Sequence, residues 1–245
     1  MPLQQIVLHP TVNNSIKYAS TTVGRDKVYK AVQFFSRFLV WYFKRQGYDK
    51  TTIQRYNNLK STLGISRKLM RFGKPVEHLQ HATKALNEVD EITKFTTIAQ
   101  QLGYATYLFW DTFVWAHNAG VYKFQQIKRI NENAHRFWFI GLVFSIIHGL
   151  YKLYLNGYQH NFMRQVSKAR FAESSEKSNV RSEAESLMKE RKAVIIQLVQ
   201  DVLDITIPAT ALGYLHLEDG LVGLAGFISS IMGIQSQWKK VNSTK

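Results

Sequence analysis

Residues 137–155 read FWFIGLVFSIIHGLYKLYL, and this stretch decides the class of fold. Its one full charge is Lys152, which lies near the end of the stretch, where a long side chain can reach the membrane surface. A helix needs ~20 apolar residues to cross a bilayer, and this stretch has about that length. Trp138, Tyr151 and Tyr154 lie where aromatic side chains line membrane interfaces. The stretch is therefore predicted to be a transmembrane helix.

The rest of the chain has the composition of a helical protein. Only four prolines occur in 245 residues, and no stretch sustains the alternation of apolar and polar residues that strands require. Hydrophobic residues make up 45% of the chain, which is too few for a polytopic transporter. The predicted fold class is all-α: a membrane protein with N-terminal amphipathic helices and apolar transmembrane helices in the C-terminal half.

Four regions follow one another along the sequence. Residues 1–98 are a basic region of amphipathic helices, and residues 99–155 hold an aromatic-rich helix followed by the transmembrane segment. Residues 156–192 are rich in Ser, Glu, Lys and Arg and are predicted to be a polar linker. Residues 193–245 are predicted to be a helical membrane region that contains a glycine-rich span at 220–238.

Small residues share one face of this glycine-rich span. Each glycine in a helix costs about 0.8 to 1 kcal/mol relative to alanine, so another interaction must compensate. Close helix packing can compensate inside a bilayer, where the burial of apolar area cannot drive association. The residues predicted to pack helices together are Gly223, Gly226, Ser230 and Gly233.

A basic amphipathic segment, LKSTLGISRKLMRFGKPV, occupies residues 59–76. On a helical wheel its apolar residues cover a broad arc and its cations a narrower one, which is typical of a helix in a membrane interface. Ordinary packing inside the protein is the open alternative. Pro75 predicts a kink or the start of a new helix. The predicted membrane-binding residues are Leu59, Lys60, Leu63, Ile65, Arg67, Lys68, Leu69, Arg71, Phe72, Lys74 and Val76.

Two further helices are predicted between these features. Residues 24–42 have one apolar and one charged face, which suits either a core helix or an interfacial one. Residues 99–122 are mostly apolar but contain Asp111, and a carboxylate at the centre of a span costs about 2.5 to 3.5 kcal/mol. This helix is therefore predicted to be buried or interfacial, although it and residues 193–217 remain open as additional spans.

The net charge of +15 predicts a polyanionic partner. The bases lie on amphipathic helices beside large apolar faces, and no nucleic-acid-binding fold is recognisable. The predicted partner is therefore an anionic phospholipid membrane, and no nucleic acid is expected.

No catalytic or cofactor-binding pattern is found. The chain has no cysteine, which excludes disulfides, cysteine-based zinc sites and thiol catalysis. His78 and His81 are spaced for shared metal ligation but lack further ligands at a suitable spacing. Asp201 and Asp204 are more consistent with polar contacts than with an acid–base pair. The chain is predicted to be no enzyme and to hold no metal or cofactor.

Several stretches together resemble the peroxin-11 family of peroxisomal membrane proteins, and most closely its fungal members. No single stretch is decisive, but their order and spacing are specific and run nearly end to end. They are VLHPTV (7–12), GRDKVYKAVQFFSRFL (24–39), SRKLMRFGKPVEHLQ (66–80), WFIGLVFSIIHGL (138–150) and GYLHLEDGLVGLAGFISSIMGIQSQWK (213–239).

This resemblance implies a location in the peroxisomal membrane. It implies an amphipathic helix, corresponding to residues 59–76, that inserts into the outer leaflet, elongates the membrane and promotes peroxisome fission and proliferation. Self-association into a homo-oligomer and cooperation with a dynamin-related GTPase and its fission adaptor are also implied. The alternative function is a pore for metabolites, motivated by polar residues in apolar surroundings. These residues are Asp111, His148, Asp201 and Asp204.

Overall fold

The computed structural model describes residues 5, 7–169 and 174–243, with the backbone alone described for 162–169 and 174–181. The chain is 85% helical and the described residues contain no strand, which confirms the all-α class. Two of the helices in the C-terminal half are long and apolar enough to span a membrane. The helices are α1 (Pro10–Ser20), α2 (Thr22–Arg45), α3 (Lys50–Leu69), α4 (Lys74–Ala85), α5 (Glu91–Asn118), α6 (Ile127–Ala169), α7 (Ser174–Ala211) and α8 (Asp219–Asn242).

The chain turns sharply between α3 and α4 at Gly73. The φ angle of Gly73 is 82°, a conformation that residues with a side chain rarely adopt. Lys74 begins α4, and Pro75 lies in the first turn of that helix, where its missing N–H leaves no hydrogen bond unmade. The new helix start predicted at Pro75 is therefore confirmed, and the segment 59–76 consists of the end of α3 and the start of α4.

Six of the helices form a closed ring around a central cavity. Helix α5 packs on α6, α6 on α7, α7 on α8, and α8 returns to α2. Helix α3 packs on α2 and contacts α5, which closes the ring. Helix α4 lies against α5, and α1 lies against α2 and α8. The cavity inside the ring has a volume of about 480 Å³.

Helix α8 approaches α2 closely through its glycines. A Cβ atom on Gly223 would lie 2.7 Å from the backbone nitrogen of Phe38, and one on Gly226 would lie 2.3 Å from the ring of Phe34. Side chains at these positions would therefore separate the two helices. The residues that the sequence singled out for helix packing are all buried in the chain: Gly223, Gly226, Ser230 and Gly233.

The two stretches that are long and apolar enough to cross a membrane are Ile127–Asn161 and Ser182–Ala211. Only 17% and 22% of their apolar windows is buried inside the chain, so most of each window faces outward, as it would in lipid. The first stretch contains the predicted segment 137–155. The second stretch overlaps residues 193–217, which the sequence left open as an additional span. The small residues of the glycine-rich segment 220–238 are buried in the bundle, and a span there stays a prediction.

The region predicted to be a polar linker, 156–192, is largely helical. Helix α6 continues to Ala169 and α7 begins at Ser174, while residues 170–173 lie outside the described residues. The two helices are joined where the side-chain amide of Asn156 donates to the carbonyl of Leu187 at 3.0 Å. A composition rich in Ser, Glu, Lys and Arg indicates a solvated segment, but such a segment can be a helix as well as a coil.

Candidate functional site

The basic side chains that follow Ile65 turn into the bundle. Arg67 is buried, and its Nε donates to a carboxylate oxygen of Asp26 on α2 at 3.0 Å. Its Nη1 donates to the amide oxygen of Gln33 at 2.7 Å. Burial raises the pKa of the Asp26 carboxyl, but Arg67, Arg71 and Lys27 together outweigh burial and hold this pKa below its usual value. Arg67 therefore joins α3 to α2 as a paired cation.

Asp111 holds the next two cations. Only 3% of its surface is exposed, although it lies in the aromatic-rich helix α5. Lys68 donates to one carboxylate oxygen, and Nη2 of Arg71 lies 3.0 Å from the other. Arg71 also donates to the hydroxyl of Tyr107 at 2.8 Å. Burial raises the pKa of Asp111, but Arg71 and Lys68 outweigh it, so the pKa lies below its usual value and the carboxylate stays charged.

A third ion pair joins α2 to α7. The ammonium of buried Lys30 donates to both carboxylate oxygens of Asp204, at 2.7 and 2.8 Å, and to the hydroxyl of Ser229 at 3.0 Å. On the next turn of α7, Asp201 accepts from Ser145 at 2.6 Å. Asp201 and Asp204 thus serve separate polar contacts, as expected from the sequence, although their spacing would permit an acid–base pair.

These groups form what we call the charged core, which lines the central cavity. Its members come from α2, α3, α5 and α7 and from the turn after α3, so parts of the chain far apart in sequence neutralise one another. The described residues contain no group of three or more His, Asp or Glu side chains placed to hold a metal. The members of the charged core are Asp26, Lys30, Arg67, Lys68, Arg71, Asp111, Asp201 and Asp204.

The apolar side chains of the same segment point outward. Leu69 is 49% exposed, Phe72 42% and Val76 58%. Phe72 packs edge-on against Trp115, with ring centroids 4.8 Å apart, so its position is fixed. Because soluble proteins place such residues in the core, this arrangement is typical of a surface in contact with lipid or a partner. We call these residues the outer apolar face: Leu59, Leu69, Phe72, Val76 and Leu79.

The structure therefore divides the eleven predicted membrane-binding residues. Four of the apolar ones lie on the outer apolar face, and Leu63 and Ile65 are half-buried. Arg67, Lys68 and Arg71 lie in the charged core, and not among outward-facing cations as the wheel suggested. Two cations remain that are not held by Asp26 or Asp111: Lys60, and Lys74, which pairs with Glu77 at 3.3 Å. Binding of this segment to a membrane stays a prediction.

The sequence did not identify the carboxylates that capture these cations. A helical wheel separates two faces of a segment but does not show which face turns inward. The available signals were single charges in apolar helices, namely Asp111 among aromatic residues and Lys30 between Tyr29 and Ala31. A buried charge needs a partner of opposite sign, and that requirement could have paired these residues with the basic segment.

Comparison with known proteins gives one consistent result. The family model described as Peroxisomal biogenesis factor 11 (PEX11) matches residues 12–238. The chain is 30% identical to Peroxisomal membrane protein PMP30B of Candida boidinii, over 98% of each chain. It is 26% identical to Peroxisomal biogenesis factor 11 of Schizosaccharomyces pombe, over 94% of this chain and 96% of that one. No solved structure matches the chain.

Proposed function

This chain belongs to the peroxisomal biogenesis factor 11 family, and on that basis we propose that it elongates the peroxisomal membrane and so promotes peroxisome fission and proliferation. It is a peroxisomal membrane protein that acts in peroxisome biogenesis, and it is not an enzyme. The proposal concerns how it acts on the membrane.

The outer apolar face inserts into one leaflet in the proposed mechanism. The observation that carries this step is the exposure of Leu69, Phe72 and Val76 on the side of the segment opposite the charged core. Moving the exposed half of such a side chain from water into lipid is worth roughly 1 kcal/mol. Several copies inserted in one leaflet expand it relative to the other, and this difference in area favours curvature.

The charged core orients this face. Arg67 ties α3 to Asp26, and Lys68 and Arg71 tie the end of α3 to Asp111, so the helix cannot roll about its axis without breaking buried ion pairs. Lys60 and Lys74 are not held by Asp26 or Asp111, so they are the predicted cations that meet anionic headgroups in this orientation.

Replacing Leu69 and Phe72 together with glutamate is expected to abolish membrane tubules. Two carboxylates in the outer apolar face oppose insertion, and they do not touch the ion pairs of the charged core. The full-length protein would be reconstituted into liposomes that contain anionic phospholipid and observed by electron microscopy, wild type beside variant.

The matched control adds two acidic groups elsewhere on α3. Gln54 and Asn58 are exposed and hydrogen-bond to each other at 2.8 Å. The Gln54→Glu/Asn58→Asp variant should still form tubules. Tubules of wild-type number with the Leu69→Glu/Phe72→Glu variant would exclude the wedge mechanism.

We also propose that the protein self-associates and that a dynamin-related GTPase with its fission adaptor divides the elongated membrane. The support for these partners is the family relationship. Self-association is tested directly by crosslinking the reconstituted protein and measuring the mass of the products.

A pore for small metabolites is the second candidate, favoured by the central cavity. The ring of helices encloses charged side chains while its outside is apolar, which is the arrangement expected around a polar passage in a membrane. Conductance across planar bilayers should then change when Asp201 and Asp204 are both replaced with asparagine. Conductance that is absent in the wild-type protein would remove this candidate.

A further inference from the structure

A second concave basic surface lies where α5 joins α6, on helices other than those of the outer apolar face. One pocket there has a volume of about 630 Å³ and is lined by aromatic and basic side chains. An adjacent concavity of about 560 Å³ shares Gln126 and Arg129 with it and adds Lys128, Glu132 and Arg136. The aromatic and basic residues of the first pocket are Trp110, Tyr122, Lys123, Phe124 and Arg129.

The loop that forms this pocket is fixed on the end of α5. Gly120, with a φ of 80°, turns the chain back. The backbone N–H of Phe124 then donates to Nδ1 of His117 at 3.0 Å, and Nζ of Lys123 donates to the carbonyl of His117 at 2.9 Å. The rings of Tyr122 and Phe124 lie 4.7 Å apart. The pocket is thus preformed, so a ligand would lose little free energy in ordering it.

Two of the cations on this surface, Lys128 and Arg129, form no ion pair with a carboxylate in the described residues. The sequence from Thr112 to Asn131 contains no Asp or Glu. Lys128 and Arg129 are exposed, and neither has a carboxylate within 4.0 Å in the part of the chain that the structure describes. Glu132 lies 3.8 Å from Arg136 instead. Two cations on a concave surface without a counter-ion favour an anionic ligand.

The position of the pocket beside the apolar stretch of α6 distinguishes a phospholipid from a free phosphate ion as the ligand. The apolar stretch of α6 begins at Phe137, just over two helical turns beyond Arg129. On α5, the exposed ring of Phe109 lies 6.0 Å from the ring of Trp110, so the aromatic wall of the pocket continues onto an exposed apolar surface. A free phosphate ion would use the two cations alone, whereas a phospholipid would use both the cations and the aromatic wall.

We propose that this pocket and the adjacent concavity, which meet at Gln126 and Arg129, together bind the headgroup phosphate of an anionic phospholipid. The phosphate lies against Lys128 and Arg129, and the start of the acyl chains lies along Trp110 and Phe109. Basic pockets at the ends of membrane-spanning helices bind anionic headgroups through such contacts. This site goes beyond the proposed function, since it would hold a particular lipid beside α6 whether or not the outer apolar face bends the membrane.

The test measures lipid binding to the full-length protein in a neutral detergent. The probes are dioctanoyl phosphatidic acid, dioctanoyl phosphatidylcholine and inorganic phosphate, titrated by microscale thermophoresis. We expect phosphatidic acid to bind at least tenfold more tightly than either of the other two. The Lys128→Gln/Arg129→Gln variant should bind phosphatidic acid about 10- to 30-fold more weakly than wild type.

A matched variant removes the same charge elsewhere. Lys50 and Arg55 are exposed on α3, and the Lys50→Gln/Arg55→Gln protein should bind phosphatidic acid as wild type does. The Leu69→Glu/Phe72→Glu protein should also bind it normally, which separates this site from the membrane wedge. Unchanged binding in the Lys128/Arg129 variant, an equal loss in the Lys50/Arg55 variant, or equally tight binding of inorganic phosphate would each overturn the proposal.

Discussion

Replacing Asp111 with alanine is expected to lower the free energy of unfolding by about 3 to 5 kcal/mol. The substitution leaves Lys68 and Arg71 inside the bundle without their carboxylate, and an unpaired buried charge is far more costly than the loss of the pair itself. Thermal or denaturant unfolding of the purified protein in detergent, followed by circular dichroism, measures the effect.

The control removes a carboxylate from an exposed ion pair. Asp219 pairs with Arg37 at 2.5 Å, and its side chain is more than half exposed. The Asp219→Ala protein should lose no more than about 1 kcal/mol, because water and salt screen the charge that remains. Equal losses in the two variants would mean that Asp111 is not a buried counter-ion.

Replacing Gly223 with alanine is expected to destabilise the protein by about 1 to 3 kcal/mol. Alanine is ordinarily the better helix residue, but here its methyl group would meet the backbone nitrogen of Phe38 at 2.7 Å. A backbone atom cannot rotate away as a side chain can, so α8 and α2 must move apart. The unfolding transition and the protease sensitivity of the protein would report the loss.

Gly157 on α6 provides the opposite case. No atom lies within 4 Å of the position that its Cβ would occupy. Gly157→Ala should therefore stabilise the protein by up to about 1 kcal/mol through helix propensity alone. If both alanine substitutions stabilised the protein, the close approach of α8 to α2 would not exist.

The sequence predicts where the helices lie along the chain better than it predicts which helices pack against each other. Local signals sufficed for the break at Pro75 and for the apolar stretch at 137–155, since chain geometry and hydropathy act within a few residues. The glycines of α8 indicated close packing, but their partner, α2, lies almost 200 residues away along the chain. Composition placed one span at 220–238 and left 193–217 open as another, and the apolar stretch Ser182–Ala211 overlaps the second of these.

No local signal shows which side of the basic segment 59–76 turns into the bundle. The alternation of cations and apolar residues over 59–76 predicts an amphipathic segment whose apolar side contacts the membrane. Whether Arg67 and Lys68 face outward depends on Asp26 and Asp111, which belong to other helices. No pattern within a single helix carries that information, so the charged core emerges only when the helices are placed together.

The contact between α2 and α8 also sets an order of synthesis and assembly. Lys30 leaves the ribosome early, whereas its partner Asp204 follows 174 residues later, and Gly223 comes after both. The ring therefore closes only after α8 has been synthesised, because its last contact is the most distant in sequence. Until then Lys30 lacks its counter-ion and α2 lacks its packing partner, and such incompletely packed chains are prone to aggregate.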